Sequence, residues 1–281
     1  MASQKTLSRG FDLSGVGVHS GKPAHLMVLP SESGGLAFRR TDLGGPEMPL
    51  AGGRLEARGS TTLIGEKFRV ETIEHLLAAL FAFGVGSAVI ALDADEIPIL
   101  DGSALPFVRA IEKAGTRALP APAAGLKILK PFAVEEGGAS IVAEPPSEGT
   151  VLDLSYTIEY GHPAIGTQEL SVRIGPAAFS RDIAPARTFG FLRDVEALRG
   201  RGLALGASYE NTIVLDAENI VNGSLRFPDE FVRHKLLDLT GDLALLGRPL
   251  AGRFTAHKAG HRLHLEAVRF LLANPDYGTT F

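Results

Sequence analysis

Residues Pro228-Asp229-Glu230-Phe231-Val232-Arg233-His234-Lys235-Leu236-Leu237-Asp238-Leu239-Thr240-Gly241-Asp242 form the stretch around which the chain is organised. Pro228 suits a first helical turn, Asp229 and Glu230 complement the helix dipole there, and Gly247 offers a stop, so residues 228 to 246 read as one helix. On it His234, Asp238 and Asp242 follow one another at i, i+4, with Cβ atoms about 5–6 Å apart. An imidazole and a carboxylate one turn apart suit a divalent metal, because both reach one ion without strain. A buried His hydrogen-bonded to an i+4 carboxylate fits the fragment equally well. A metal would need further ligands from elsewhere in the chain.

The 281 residues, 45% of them hydrophobic, suffice for one large core or two smaller ones, and two α/β domains are the better expectation. A formal charge of −4 gives no general attraction to polyanions, so nucleic acid is not an expected partner and any acidic ligand needs a local cluster of cations. With no cysteine, the chain has no disulfide, no thiolate nucleophile and no Cys-ligated zinc, and a metal would rest on His and carboxylates. The stretch Met1-Ala2-Ser3-Gln4-Lys5-Thr6 has no apolar run behind its Lys, which predicts no signal peptide. Leu76 to Leu92 carries no charge but is shorter than the ~20 residues of a membrane span and is interrupted by Gly84-Val85-Gly86-Ser87. It reads as a helix, a turn and a buried strand.

In the first half, residues 6 to 41 read as strands and hairpins. Gly15 to Lys22 looks superficially like a phosphate loop, but its spacing is wrong and Pro23 stands where Ser or Thr would be needed. Thr61 to Ile64 and Phe68 to Glu71 suggest a hairpin, followed by a helix through Phe81 with Thr72 as its N-cap. Glu74 and His75 then fall in its first turn, where a carboxylate beside a ligating His is placed to act as a general base. Alone, the pair reads as a helix-start Glu favoured by the dipole and a partly exposed His. After the strand Ala88 to Asp93 comes the acidic loop Asp95 to Ser103, and then a helix through Ala114. Leu119-Pro120-Ala121-Pro122-Ala123-Ala124-Gly125 reads as an extended linker, which divides the chain into domains 1–122 and 123–281.

In the second half, residues 126 to 174 alternate as four or five strands. A short helix from Leu192 to Leu198, a Gly-rich run and a strand from Thr212 to Asp216 form an apolar insertion. The opening helix follows, then the strand Gly252 to Ala256, a loop ending at His261, and a last helix through Leu272. Both halves thus run from strands into a helix with His near its start, a faint echo of duplication. If the halves pack face to face, the two helix starts meet at their cleft. His75, His234 and Asp238 would then complete a zinc set with an open fourth position, with Glu74 as base. His261 would be the acid for a leaving group, and Asp242 would orient a neighbouring imidazole. There is no His-Glu-x-x-His.

The chain resembles, along nearly its whole length, the zinc-dependent UDP-3-O-acyl-N-acetylglucosamine deacetylases of lipid A biosynthesis. The matching segments are Gly15 to Lys22, Val70 to Leu80, Glu96 to Ser103, Ala186 to Phe191, Gly202 to Gly206, Leu225 to Asp242 and Phe254 to His261. The resemblance implies an α+β fold of two similar α/β domains, with their helices sandwiched between two sheets. It implies Zn²⁺ on His75, His234 and Asp238, Glu74 as general base, and His261, supported by Asp242, as the proton donor to the departing amine. Thr188 is implied in oxyanion stabilisation, Phe189 in contact with the sugar, and Lys235, on a different helix face from the ligands, in meeting the substrate's negative charge.

By the same resemblance the insertion near 190–216 forms an acyl passage, lined by Phe191, Leu192, Leu198, Leu203 and Leu205. Each buried methylene there is worth about 0.8 kcal/mol. Glu159 and Tyr160 match nucleoside contacts. The chain departs from the family at Ala139, where a basic residue is expected, so Lys235 and Lys258 are expected to meet the pyrophosphate instead. The implied protein is a monomeric cytoplasmic amidase of a UDP-linked acylated amino sugar, without stable membrane insertion. The alternatives are a zinc amidase for another acylated amino sugar and a non-catalytic metal-dependent binding module; the latter has no use for Glu74 and His261 together.

Overall fold

The computed structural model of the protein describes residues 3–281; Met1 and Ala2, part of the stretch read as lacking a signal peptide, lie outside them. Two seven-stranded sheets form the outer layers, each built around one central strand. In the first sheet this is Val85–Leu92, parallel to Gly35–Arg40 on one side and antiparallel to Pro23–Pro30 on the other. In the second it is Leu250–His257, parallel to Leu152–Glu159 and antiparallel to Ala139–Glu144. The alternating burial of Leu152–Glu159 shows one face on the core and one toward solvent. A three-stranded sheet, Arg54–Ala57, Thr61–Ile64 and Arg69–Val70, leads into the first helix.

Helices fill the space between the sheets. Glu74–Ala82 and Leu105–Ala114 pack on the first sheet, Glu230–Leu243 and His261–Ala273 on the second, and Glu74–Ala82 lies directly on Glu230–Leu243. Beyond Glu74 and His75 the first helix is apolar all round because it is covered on both sides, with Leu76, Leu77, Ala78, Ala79 and Leu80 fully buried. From the facing helix, Phe231, Val232, Leu236, Leu237, Leu239 and Leu243 join the same core. Each such large side chain removed from water contributes about 1.5–3 kcal/mol. The two helices cross at Gly241, where an added Cβ would lie 2.0 Å from the carbonyl oxygen of Glu74. Glycine costs about 1 kcal/mol relative to Ala inside a helix, so its presence here is explained by the close backbone approach.

The expected α+β layering is what the chain adopts, with local corrections. The opening helix is α-helical over Glu230–Leu243 and ends in a 3₁₀ turn, Ala244–Leu246, before Gly247 in the left-handed conformation. Thr72 is not an N-cap: the helix starts at Glu74, and Thr72 has φ 58° with its hydroxyl donating to Glu96 Oε1 at 2.9 Å. That conformation is strained for a β-branched residue and is fixed by a buried carboxylate rather than by the helix. The Leu119–Gly125 stretch is extended as read, but it is not a free linker. Thr116–Pro122 pairs antiparallel with Ser3–Leu7 at the edge of the first sheet, because Pro fits an edge where no ladder donor is required.

Candidate metal centre

His75, His234 and Asp238 each present a ligand atom, all within 4.8 Å of one another, and all three side chains are buried. Two of the three come from one face of the Glu230–Leu243 helix and the third from the first turn of Glu74–Ala82, brought into register by the Gly241 crossing. His234 Nδ1 donates to the Ala186 carbonyl at 3.1 Å, which leaves the Nε2 lone pair 3.4 Å from Asp238 Oδ1. Burial pushes the His234 imidazole down to about 3, so it is neutral, as a ligand must be. Burial opposes ionisation of Asp238, but Lys235, His234 and His261 outweigh it and hold its carboxyl well below the usual range.

His75 Nδ1 and Asp238 Oδ1 are buried with no hydrogen-bond partner among the described residues. Leaving such atoms unpaired costs about 1–3 kcal/mol each. The imidazoles of His75 and His234 and the Asp238 carboxylate, whose Oδ1 is unspent, are the donor set of a catalytic zinc site, so the residues present fit that ion. The second reading of the opening helix, a simple His–Asp hydrogen bond, does not account for these unspent atoms.

Around this cluster stand the other two groups singled out in the sequence. Glu74 Oε2 accepts from the Thr61 backbone N–H at 3.1 Å, and Oε1 lies 3.7 Å from His261 Nε2. Burial raises the Glu74 carboxyl to about 7 against the pull of His261 and His75. His261 begins the last helix, and its Nδ1 donates to Asp242 Oδ2 at 2.7 Å. Burial pulls its imidazole down, but the Asp242, Asp238 and Glu74 carboxylates outweigh that and raise it to about 9. Asp242 lies outside the three-ligand group and serves this imidazole instead. A carboxylate near neutrality and an imidazolium at one spot are an acid–base pair.

The cluster opens into a cavity of about 750 Å³ lined by Thr188, Phe189, Tyr160, Phe191, Leu192 and Leu198, among others. Thr188 is fixed through its backbone, its N–H donating to Gly102 and its carbonyl accepting from Ile213, both at 2.8 Å. Phe189 packs edge-on against Phe231 at 5.0 Å, and Tyr160 lies 5.8 Å from Phe189 and 6.0 Å from Phe191. The expected apolar lining is incomplete in one respect: Leu203 and Leu205 do not line the cavity, and Leu205 is half exposed against Gly21. Val195, Ala204, Ala207 and Val214 take their place.

Lys235 does not point to a different face from the ligands. Its Nζ sits 2.6 Å from Asp238 Oδ2, one turn away, and lines the same cavity. Asp238 raises its ammonium against the effect of burial. Glu159 is half exposed and tied to His257 Nε2 at 3.0 Å and Lys258 Nζ at 3.1 Å, away from the cavity lining. Ala139 pairs with Glu136 in a hairpin beside them.

Sequence reading missed Thr61, His264 and Tyr156. The Thr61 hydroxyl donates to Asp242 Oδ1 at 2.5 Å, and His264 Nδ1 lies 2.7 Å from Asp242 Oδ2. His264 carried a signal, since it stands three residues after His261 on one helix face; Thr61, 181 residues from Asp242 in the chain, carried none. Glu96 was read only as part of an acidic loop, with no role of its own. It is buried and accepts from the His19 and Ser20 backbone N–H groups at 2.9 and 2.7 Å, fixing the Gly17–Gly21 turn at the cavity rim.

A family model described as UDP-3-O-acyl N-acetylglycosamine deacetylase matches residues 4–273. A UDP-3-O-acyl-N-acetylglucosamine deacetylase of Thermodesulfovibrio yellowstonii is 41% identical over 281 residues, covering 99% of this chain and 94% of that protein. The Myxococcus xanthus protein of the same name is 45% identical over 278 residues, 98% of this chain and 88% of its own length. That of Phenylobacterium zucineum is 44% identical over 280 residues, 97% of this chain and 94% of its own.

Proposed function

The chain belongs to the UDP-3-O-acyl N-acetylglycosamine deacetylase family, and from that premise we propose how its own residues perform the hydrolysis. The reaction removes the N-acetyl group of a UDP-linked 3-O-acyl-N-acetylglucosamine as acetate, a step of lipid A biosynthesis. His75, His234 and Asp238 hold zinc, which when bound supplies a Lewis acid for the amide carbonyl and acidifies water.

Glu74 takes a proton from the attacking water, a task suited to a carboxyl near 7. His261 Nε2 gives a proton to the departing amine, and Asp242 keeps its Nδ1 protonated and its ring in place. Because Nε2 lies 3.7 Å from Glu74 Oε1, proton acceptor and proton donor serve the same small volume. The Thr188 hydroxyl donates to the oxygen that gains charge. Phe189 lies along the sugar, and Phe191 and Leu198 flank the acyl chain in the cavity. Tyr160 offers its ring to the nucleoside end, with Glu159 outside it. Lys235, paired with Asp238, lines the cavity as a largely buried cation and meets the substrate's charge from there.

The observation that carries this reading is the facing pair Glu74 and His261 beside the clustered ligand atoms of His75, His234 and Asp238, of which Asp238 Oδ1 has no hydrogen-bond partner among the described residues. A protein that only bound a metal would need neither acid nor base. Metal analysis coupled to an acetate-release assay on the UDP-sugar tests it. Glu74→Ala is expected to lose on the order of 10²–10⁴-fold in turnover while keeping its metal, and His234→Ala to lose the metal itself. Near-normal turnover by Glu74→Ala would refute the base assignment.

A further inference from the structure

Asp242 is fully buried and serves two imidazoles, not one: His261 Nδ1 and His264 Nδ1 each lie 2.7 Å from its Oδ2, while Thr61 holds Oδ1. His264 is itself fully buried, in the first turn of the last helix. Its remaining nitrogen, Nε2, lies 3.1 Å from the Tyr156 hydroxyl, which donates to the Ala259 carbonyl at 2.6 Å. Ala259 belongs to the turn that delivers His261. His264 is therefore the joint between the carboxylate that orients His261 and the backbone that carries it.

We propose that His264 is a positioning residue for the deacetylation, acting through Asp242 to fix the ring of His261. A carboxylate held by Thr61 and His261 alone can pivot about the line joining them, and a third donor from another direction removes that freedom. In a buried site the proton on His264 must face Asp242, since an ionised carboxylate only accepts. Nε2 then faces the Tyr156 hydroxyl, whose proton is shared with the Ala259 carbonyl in a three-centre bond. Burial lowers the His264 imidazole, in keeping with a neutral ring protonated on Nδ1. Groups that orient a metal-ligating imidazole change activity by about 10–100-fold when removed, and a loss of the same order is expected where the oriented imidazole is a proton donor.

The inference rests on His261 being the proton donor, and the test separates the two. His264→Leu is expected to lower kcat about tenfold or more, with KM within about twofold and metal content unchanged. His264→Asn, whose amide N–H reproduces the bond to Asp242, is expected to recover most of that loss. His264→Gln, which reaches toward Tyr156 instead, is not. In a His261→Ala background, His264→Leu should cost nothing further. A full penalty in that background, or rescue by Gln but not Asn, overturns the proposal, whereas a fully active His261→Ala overturns the functional reading instead. Nitrogen NMR of the ¹⁵N-histidine-labelled wild-type protein gives a readout independent of any variant's folding: the His264 ring should be the neutral Nδ1–H tautomer, and an Nε2–H tautomer refutes the arrangement.

Discussion

Glu74 and His261 illustrate how the same burial acts oppositely on two side chains. Loss of water raises the carboxyl to about 7, while three carboxylates around the imidazole overcome the loss of water and raise it to about 9. The productive form has Glu74 ionised and His261 protonated. The rate is therefore expected to rise with pH as Glu74 loses its proton and to fall as His261 loses its own, with both limbs lowered by a bound cation. In a pH profile of kcat/KM, Glu74→Gln should lack the ascending limb and His261→Gln the descending one; limbs unchanged in both variants would rule out these assignments. At this scale the sequence was most legible for ligands on one helix, because the i, i+4 spacing of His234 and Asp238 is a geometric statement in itself. It was least legible for Lys235, whose neighbour relation to Asp238 at i+3 puts it on the ligands' side of the helix rather than on a different face.

At the scale of the element, the crossing of Glu74–Ala82 on Glu230–Leu243 sets the distance between one ligand and the other two. Gly241→Ala would place a methyl 2.0 Å from the Glu74 carbonyl, so the helices must move apart. The expected outcome is a stability loss of about 1–3 kcal/mol together with weaker metal binding, measured by chemical denaturation and metal titration. An unchanged metal affinity would show that the crossing does not control the site. The insertion is a second element with a separable effect. Leu198→Trp, which narrows the cavity, should raise KM for long-chain substrates more than for short-chain ones, as measured across a series of acyl lengths. Helices and central strands were readable because their apolar periodicities are long. The Thr72 cap and the Leu119–Gly125 linker were misread because each is decided by a distant partner, Glu96 in one case and the Ser3–Leu7 strand in the other.

For the whole molecule, the active groups lie on both halves, and neither sheet with its helices holds a complete set. Metal bound to the folded protein alone must stabilise it, by about 2.7 kcal/mol when free metal is a hundred times its dissociation constant. Calorimetry of chelated and reloaded protein should show a rise in Tm of several degrees, abolished in His234→Ala; an equal rise in that variant would assign the stabilisation to another site. No helix among the described residues is long and apolar enough to cross a membrane. The insertion meets the first half at the Gly17–Gly21 turn, where the Leu205 and Gly206 N–H groups donate to the His19 and Val18 carbonyls at 3.0 Å. That seam is made of main-chain atoms and depends on glycine at 206, where an added Cβ would lie 2.2 Å from the Gly17 carbonyl oxygen, but not on the side chains that line the cavity. The side chains facing the acyl chain can therefore be exchanged over evolution, and the preferred chain length retuned, without unfastening the wall from the catalytic floor.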